Sequence, residues 1–356
     1  MNINEILGQF VVDTKISEYG DGHINDTYLS ESNEYILQRV NTDIFKNTDE
    51  LMENIVSVTE FLRKKIKAEG GNCDRETLTV VKTTDGKNYF KTPEGDVYRV
   101  YLFINKSKSI SVVTDPKQLY FAAKGFGKFA KMLDDYPAEK LFETIPDFHN
   151  TPKRFEAFQK AVEENIAGRA DLVKDEIEFV LSKKDFISVV TDGIANGSIP
   201  LRVTHNDTKI NNVLFDEITG EPVCVIDLDT VMPGSLLYDF GDALRVGAAT
   251  AAEDETDLST VWFDLQAFRA FCEGYFEEMG SVMTEREIEL LPVSAKLLTF
   301  ECGMRFLTDY LNGDTYFKIH RPNHNLDRAR TQFKLVSDID KKMDEMCWIV
   351  ENVRNK

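Results

Sequence analysis

Between positions 204 and 216 the chain reads THNDTKINNVLFD, a run in which His205, Asp207, Lys209 and three asparagines stand directly before an apolar stretch. The turn EITGE and the segment PVCVIDLDT follow, and the second of these brings Asp227 and Asp229. Two short apolar runs around a Gly-containing turn predict a β-hairpin. A polar loop ahead of that hairpin and an acid at its far end would bring Asp207, Asn212 and Asp227 to one edge. Two carboxylates and an amide oxygen converging there suit Mg²⁺, which takes oxygen ligands and completes its shell with water and nucleotide phosphates. An isolated H-x-D is equally a loop-capping pattern, with Asp207 accepting backbone N–H groups. The three residues together, at these spacings, favour chemistry over capping.

These residues need elements to hold them. The first hundred residues are strand-rich: HINDTYLS, EYILQRV, TLTVVKT, NYFKT and VYRVYLFI are short β-branched or aromatic runs separated by turn residues. One helix interrupts them, TDELMENIVSVTEFLRKKIKAEGG, with Thr48 or Asp49 as the expected N-cap, Leu51, Ile55, Val58 and Leu62 on one face, and Gly70-Gly71 as its stop. Beyond about residue 104 the pattern turns helical. The expected architecture is α+β, with a small β-rich lobe over 1–104 and a larger, mainly α-helical lobe over 105–356.

Composition narrows the partners. A formal charge of −19 argues against nucleic acid, whose phosphates most of this surface would repel. The five cysteines include no C-x-x-C pair, which fits neither a zinc ribbon nor a secreted disulfide framework, and a reducing cytoplasm is the simpler expectation. The opening MNINEILGQFVVD has no basic n-region, and no run approaches the roughly 18 apolar residues of a membrane span. No obligate protein partner is evident.

Asp207 precedes Asn212 by five residues, the spacing of the base and the metal-binding Asn in the protein-kinase catalytic loop. With VIDLDT and YDFGDALR, the THNDTKINNVLFD segment resembles the aminoglycoside phosphotransferase and choline kinase family of small-molecule kinases. GHINDTY, IDLDTVMPG, ECGMRFLTDYLNGD and HRPNHNLDRARTQF look more particularly like the N-acetylhexosamine 1-kinases within that group. The resemblance covers essentially the whole chain. It implies a two-lobed, protein kinase-like fold and transfer of the γ-phosphoryl of ATP, with Mg²⁺, to the C1 hydroxyl of GlcNAc or GalNAc. A kinase of choline, ethanolamine or homoserine is the nearest alternative, and a catalytically silent ATP-binding module is another.

By the same resemblance Asp207 takes the acceptor's hydroxyl proton, Asn212 and Asp227 hold the metal, and His205, Asp229 and Asp239 support them. Asp239 would hydrogen-bond the catalytic loop, and Asp229 would act behind the metal site or as a further metal contact. The loop EYGDGHINDTY, with Gly22, would lie over the ATP phosphates, although a plain hairpin turn explains its glycines as well. The strand EYILQRV lacks the expected Lys, so Arg39 is the candidate phosphate cation and Gln38 the alternative; alternation sends them to opposite faces. Glu53 would be the cation's helical partner, unless it is simply a solvated helix glutamate. The backbone at Tyr101 to Phe103 would pair with the purine edge, unless VYRVYLFI is simply a buried strand. Arg305, on an otherwise apolar helix face, either meets a structural acid or faces the acceptor, with His23 closing from the other side.

Overall fold

The computed structural model describes residues 1–10, 15–20 and 25–356. After a short capped helix α1 (Ile3–Leu7) come β1 (Ile16–Glu18), β2 (Asp26–Ser30) and β3 (Tyr35–Val40). Helix α2 (Thr48–Ala68) and the single turn α3 (Cys73–Glu76) separate these from β4 (Val80–Val81), β5 (Phe90–Lys91) and β6 (Val97–Leu102). The strands form one antiparallel sheet in the order β1-β2-β3-β6-β4, with β5 also on β6. Five of the six residues of β6 are buried, because it is central and covered on both faces. Leu37, Tyr98 and Val100 pack on Ile6, Leu7 and Phe10 on one side. Val40, Val97 and Tyr101 pack with Leu51, Ile55, Val58 and Leu62 of α2 on the other. The cap of α2 is Asn47, whose side chain accepts the Glu50 N–H, one position earlier than Thr48.

The chain then becomes helical. After β7 (Ser107–Lys108) come α4 (Pro116–Met132), α5 (Thr151–Glu164), α6 (Lys174–Ser182) and α7 (Val189–Ala195). The short strands β8 (Arg202–Thr204), β9 (Val213–Asp216), β10 (Pro222–Val225) and β11 (Met232–Gly234) lead into α8 (Leu236–Gly247), α9 (Leu265–Met279), α10 (Glu285–Leu311) and α11 (His324–Arg354). The hairpin β9-β10 is present, and its turn is closed by Asp216 Oδ1 accepting the Ile218 and Thr219 N–H groups, both at 2.9 Å. Strands β8 and β11 pair separately, Thr204 opposite Met232. The loops that leave β8 and β10 are therefore held side by side by two small sheets.

Beneath them runs α8, almost wholly buried. It approaches α10 so closely that a Cβ on Gly241 would stand 2.4 Å from the Ser294 carbonyl oxygen, so only glycine fits. The two parts of the chain are joined by buried polar contacts. Asn54 of α2 donates to the carbonyls of Phe142 (2.8 Å) and Val231 (3.0 Å) and accepts the Phe142 N–H (2.9 Å). No helix among the described residues is long and apolar enough to cross a membrane.

Candidate active site

The loop after β8 is fixed by acids beneath it. Asp239 on α8 accepts the backbone N–H of His205 (2.8 Å) and of Asn206 (2.7 Å), and Asp242 accepts that of Thr208 (3.1 Å). Asn206 adopts a left-handed backbone (φ 65°), a conformation Asn tolerates better than most residues, and its amide donates to the Thr230 carbonyl at 2.8 Å. His205 accepts the Asp207 N–H at Nδ1 (3.3 Å), so its Nε2–H donates to the Ile226 carbonyl (2.9 Å). The imidazole thus ties the loop after β8 to the loop after β10, with Phe126 and Phe129 edge-on to its ring.

These bonds leave the Asp207 carboxylate turned outward, partly accessible. Burial alone would raise its pKa, but Lys209, whose ammonium lies 2.8 Å away, outweighs that and holds the carboxyl below the usual range. Asp207 is therefore ionised at neutral pH. Asn212 donates its amide to the Asp207 carbonyl (2.8 Å) and carboxylate (3.2 Å), which turns its own Oδ1 away from them.

Asp227 also has a left-handed backbone (φ 61°) and makes no side-chain hydrogen bond among the described residues. Its pKa is pushed up to about 7, by burial first and then by the charges of Asp229 and Asp207. A carboxyl crowded by two others, next to Ile226, whose N–H donates to the Asn212 carbonyl (2.9 Å), fits a divalent cation. Among the described residues no group of three His, Cys, Asp or Glu is arranged to hold a metal alone. The donor set fits an ion that brings further ligands with it.

A sequence profile of the phosphotransferase enzyme family matches residues 15–275. The chain belongs to that family. Solved structures with the same fold include a microcompartment-associated aminopropanol kinase (14% identity, 97% of each chain covered, TM-score 0.59). Spectinomycin phosphotransferase with ADP and spectinomycin is similar at 13% identity, covering 96% of this chain and 98% of its own, with TM-score 0.58. An ethanolamine kinase of Plasmodium vivax matches at 15% identity over 92% of this chain and 85% of its own, with TM-score 0.55. At such identities the likeness establishes the protein kinase-like fold.

On the sheet side, this phosphotransferase departs from several expectations. Arg39 lies on the face turned toward α1, paired with Asp26 (3.3 Å) and Asp96 (2.7 Å), so it does not face the acids of the loops. Gln38 is on the opposite face, and there its Oδ-equivalent, Oε1, accepts from Arg99 Nε (3.1 Å) and Nη2 (2.9 Å). Glu53 is exposed on α2, away from any such cation, while its neighbour Asn54 faces inward. Asp229 is occupied by the sheet: Arg99 Nη1 lies 2.5 Å from its Oδ1, and Asn25 donates to its Oδ2 at 2.7 Å. The N–H groups of Leu102 and Phe103 already donate to Thr79 O (3.0 Å) and Glu34 O (2.8 Å), so a purine edge cannot pair with them without breaking those bonds. Gly22 and His23 lie outside the described residues.

On the helical side, Arg305 of the phosphotransferase has no carboxylate at ion-pair distance among the described residues. Its guanidinium lies 5.6 Å from the Phe148 ring, 5.9 Å from Tyr316 and 5.6 Å from Phe317. Arg154 stands near it, donating to Phe148 O (3.1 Å); burial and then the Arg305 charge lower its pKa. The strap that carries Tyr316 is anchored by Asp309, which accepts the N–H groups of Thr315 (2.9 Å), Tyr316 (2.8 Å) and Phe317 (2.9 Å).

One turn before Arg305, Glu301 accepts from His149 Nδ1 (2.8 Å) and Thr151 Oγ1 (2.6 Å), while His149 Nε2 donates to Asn206 O (3.1 Å). Both ring nitrogens of His149 face acceptors, so the imidazole is held as its cation. Although burial opposes that charge, Glu301 raises the His149 pKa. This chain of bonds ties the Arg305 face of α10 to the residue before Asp207. The sequence reading named Lys209 without giving it a role and passed over Arg99, His149 and Arg154. Lys209, two residues after Asp207, had a signal in the loop pattern itself; the other three depend on tertiary placement.

Proposed function

We propose that this phosphotransferase is an ATP-dependent N-acetylhexosamine 1-kinase. Asp207, ionised and outward-facing, accepts or orients the proton of the acceptor hydroxyl. Asn212 and Asp227 would hold Mg²⁺, which when bound neutralises phosphate charge. His205, Asp239 and Asp242 keep the loop in register, and Lys209 keeps Asp207 charged. Phosphoryl transfer asks mostly for positioning and charge neutralisation, and this set provides for both. On this reading the nucleotide is held by the part of the chain up to about residue 104. The acceptor is held by the part from 105 onward.

The observation that favours a sugar over an amino alcohol is the pair Arg305 and Arg154 on the acceptor side. An acceptor cation such as choline or ethanolamine calls for an acidic or open aromatic cage. Here the aromatic faces around Arg305 are already occupied by its own guanidinium, and the nearby Glu301 is engaged by His149 and Thr151. Guanidinium donors suit ring hydroxyls and an acetamide carbonyl. Coupled measurement of ADP release against a panel of GlcNAc, GalNAc, unacetylated hexoses, choline, ethanolamine and homoserine tests the reading. It expects turnover with the N-acetylhexosamines, and preferential turnover of an amino alcohol would refute it.

A further inference from the structure

A nucleotide brings several negative charges to a site that already holds Asp207, Asp227 and Asp229. The sheet must therefore supply a cation, and β3 offers none on the correct face: Gln38 is neutral and Arg39 points the other way. Directly across from Gln38, on β6, stands Arg99. Its side chain is 1% exposed, and it reaches over the Tyr101 ring (5.2 Å to the centroid) to Asp229. We propose that Arg99 is the group through which the sheet of this chain holds the phosphates of a nucleoside di- or triphosphate, with Asp229 keeping the guanidinium in place until they arrive.

The alternative is a purely structural ion pair between sheet and loop. Such buried pairs persist when every polar atom is hydrogen-bonded. Here Arg99 Nη1 and Asp229 Oδ1 stand 2.5 Å apart as a buried ion pair, and among the described residues neither atom has a second partner. The Tyr101 hydroxyl, on the same face of β6 and fully enclosed, has no hydrogen-bond partner among the described residues. The Arg99–Asp229 pair and the Tyr101 hydroxyl lie together on the face that meets the acidic loop, so a phosphate oxygen arriving there would find a guanidinium and a hydroxyl as donors. A guanidinium suits that ligand, because its planar fork matches phosphate oxygens and its charge is permanent. Asp229 would not be stranded when Arg99 turns to phosphate, since Asn25 still donates to its other oxygen and is itself held by the Asn41 N–H at 3.0 Å. The effect is to move the cation from β3 to the neighbouring strand while keeping it on the same face of the sheet.

The proposal rests on reading the Asp207, Asn212 and Asp227 site as one for nucleotide phosphotransfer, and its test separates the two. Isothermal titration in EDTA, without substrate turnover, compares adenosine with ADP on wild type, Arg99→Met and Arg99→Lys. Arg99→Met should weaken ADP about ten- to a hundred-fold, the range of one charge-assisted hydrogen bond, and leave adenosine unchanged; Arg99→Lys should regain part of the loss. Arg99→Met leaves the Asp229 charge buried without its cation and held only by Asn25, so the double variant Arg99→Met/Asp229→Asn, checked by thermal melting, is measured beside it with the same expectation. Equal weakening of adenosine and ADP, or no weakening of ADP, would overturn the role of Arg99 alone. A wild-type protein that binds neither ligand would overturn the phosphotransfer reading beneath it.

Discussion

Replacing Asp227 by Asn should make the metal-free protein more stable, and increasingly so as pH rises. Asp227 titrates near 7 in the fold, raised by burial and by Asp229 and Asp207, against about 3.9 for an unperturbed aspartate. Between those two values the unfolded chain has released the proton and the folded chain has kept it. The wild type therefore loses stability as pH climbs through that window, and the loss is complete above about 7. The difference corresponds to a ceiling of about 4 kcal/mol. The carboxyl is partly open to water, so about 2 kcal/mol is the working figure, or a melting shift of roughly 3 °C for a chain of this size. Asn keeps the shape and carries no charge, so the variant lacks this slope. Thermal melts of both proteins in EDTA from pH 4.5 to 8 should show a gap that widens to about pH 7 and then levels. Added Mg²⁺ with ADP should close the gap from the wild-type side. A gap independent of pH, or one that narrows as pH rises, would refute the assignment of a strained, cation-seeking carboxylate.

The other predictions concern catalysis and the support beneath it. Asp207→Asn should lower kcat by about 10²–10⁴ with little change in either KM, measured under saturating ATP and sugar; lost affinity at unchanged kcat would point to a binding role. Arg305→Ala should raise the sugar KM, or lower kcat/KM, by about ten- to a hundred-fold while the ATP KM stays level, and an equal effect on ATP would move Arg305 off the acceptor side. Glu301→Gln should cost roughly 3–5 kcal/mol at pH 6 in urea titrations, because it leaves the His149 cation buried without its partner. A histidine raised in the fold stabilises below about pH 6.5 and ceases to do so as pH passes its raised value. The cost should accordingly shrink by pH 9, and a cost equal at both pH values would count against the charged pair.

The candidate site was legible where chemistry and local sequence coincide. Asp207, Lys209 and Asn212 share one loop, and the hairpin that carries the chain on to Asp227 is announced by its own turn residues. Helix α2 was equally plain from its apolar face, and only its cap moved, because Asn47 reaches the Glu50 N–H from one residue further back. What stayed hidden depends on pairing between distant segments. Strand alternation separates Gln38 from Arg39 but says nothing about which face meets the acids; the register Gln38 to Arg99 decides that, across sixty-one residues of sequence. His149 is one of five histidines, and nothing in its neighbours foretells that it bridges Glu301 to the Asn206 carbonyl. The purine edge was placed at Tyr101 to Phe103 because a buried strand and a nucleotide-binding edge have the same letters. The N–H groups of Leu102 and Phe103 donate to Thr79 and Glu34.

The most direct measurement is the position of the phosphate on the product. With ATP, Mg²⁺ and an N-acetylhexosamine, ³¹P and ¹H NMR of the reaction mixture should show phosphorus coupled to the anomeric proton, and the product should have lost its reducing end. A 6-phosphate, or no phosphorylated sugar while an amino alcohol is turned over, would contradict the account.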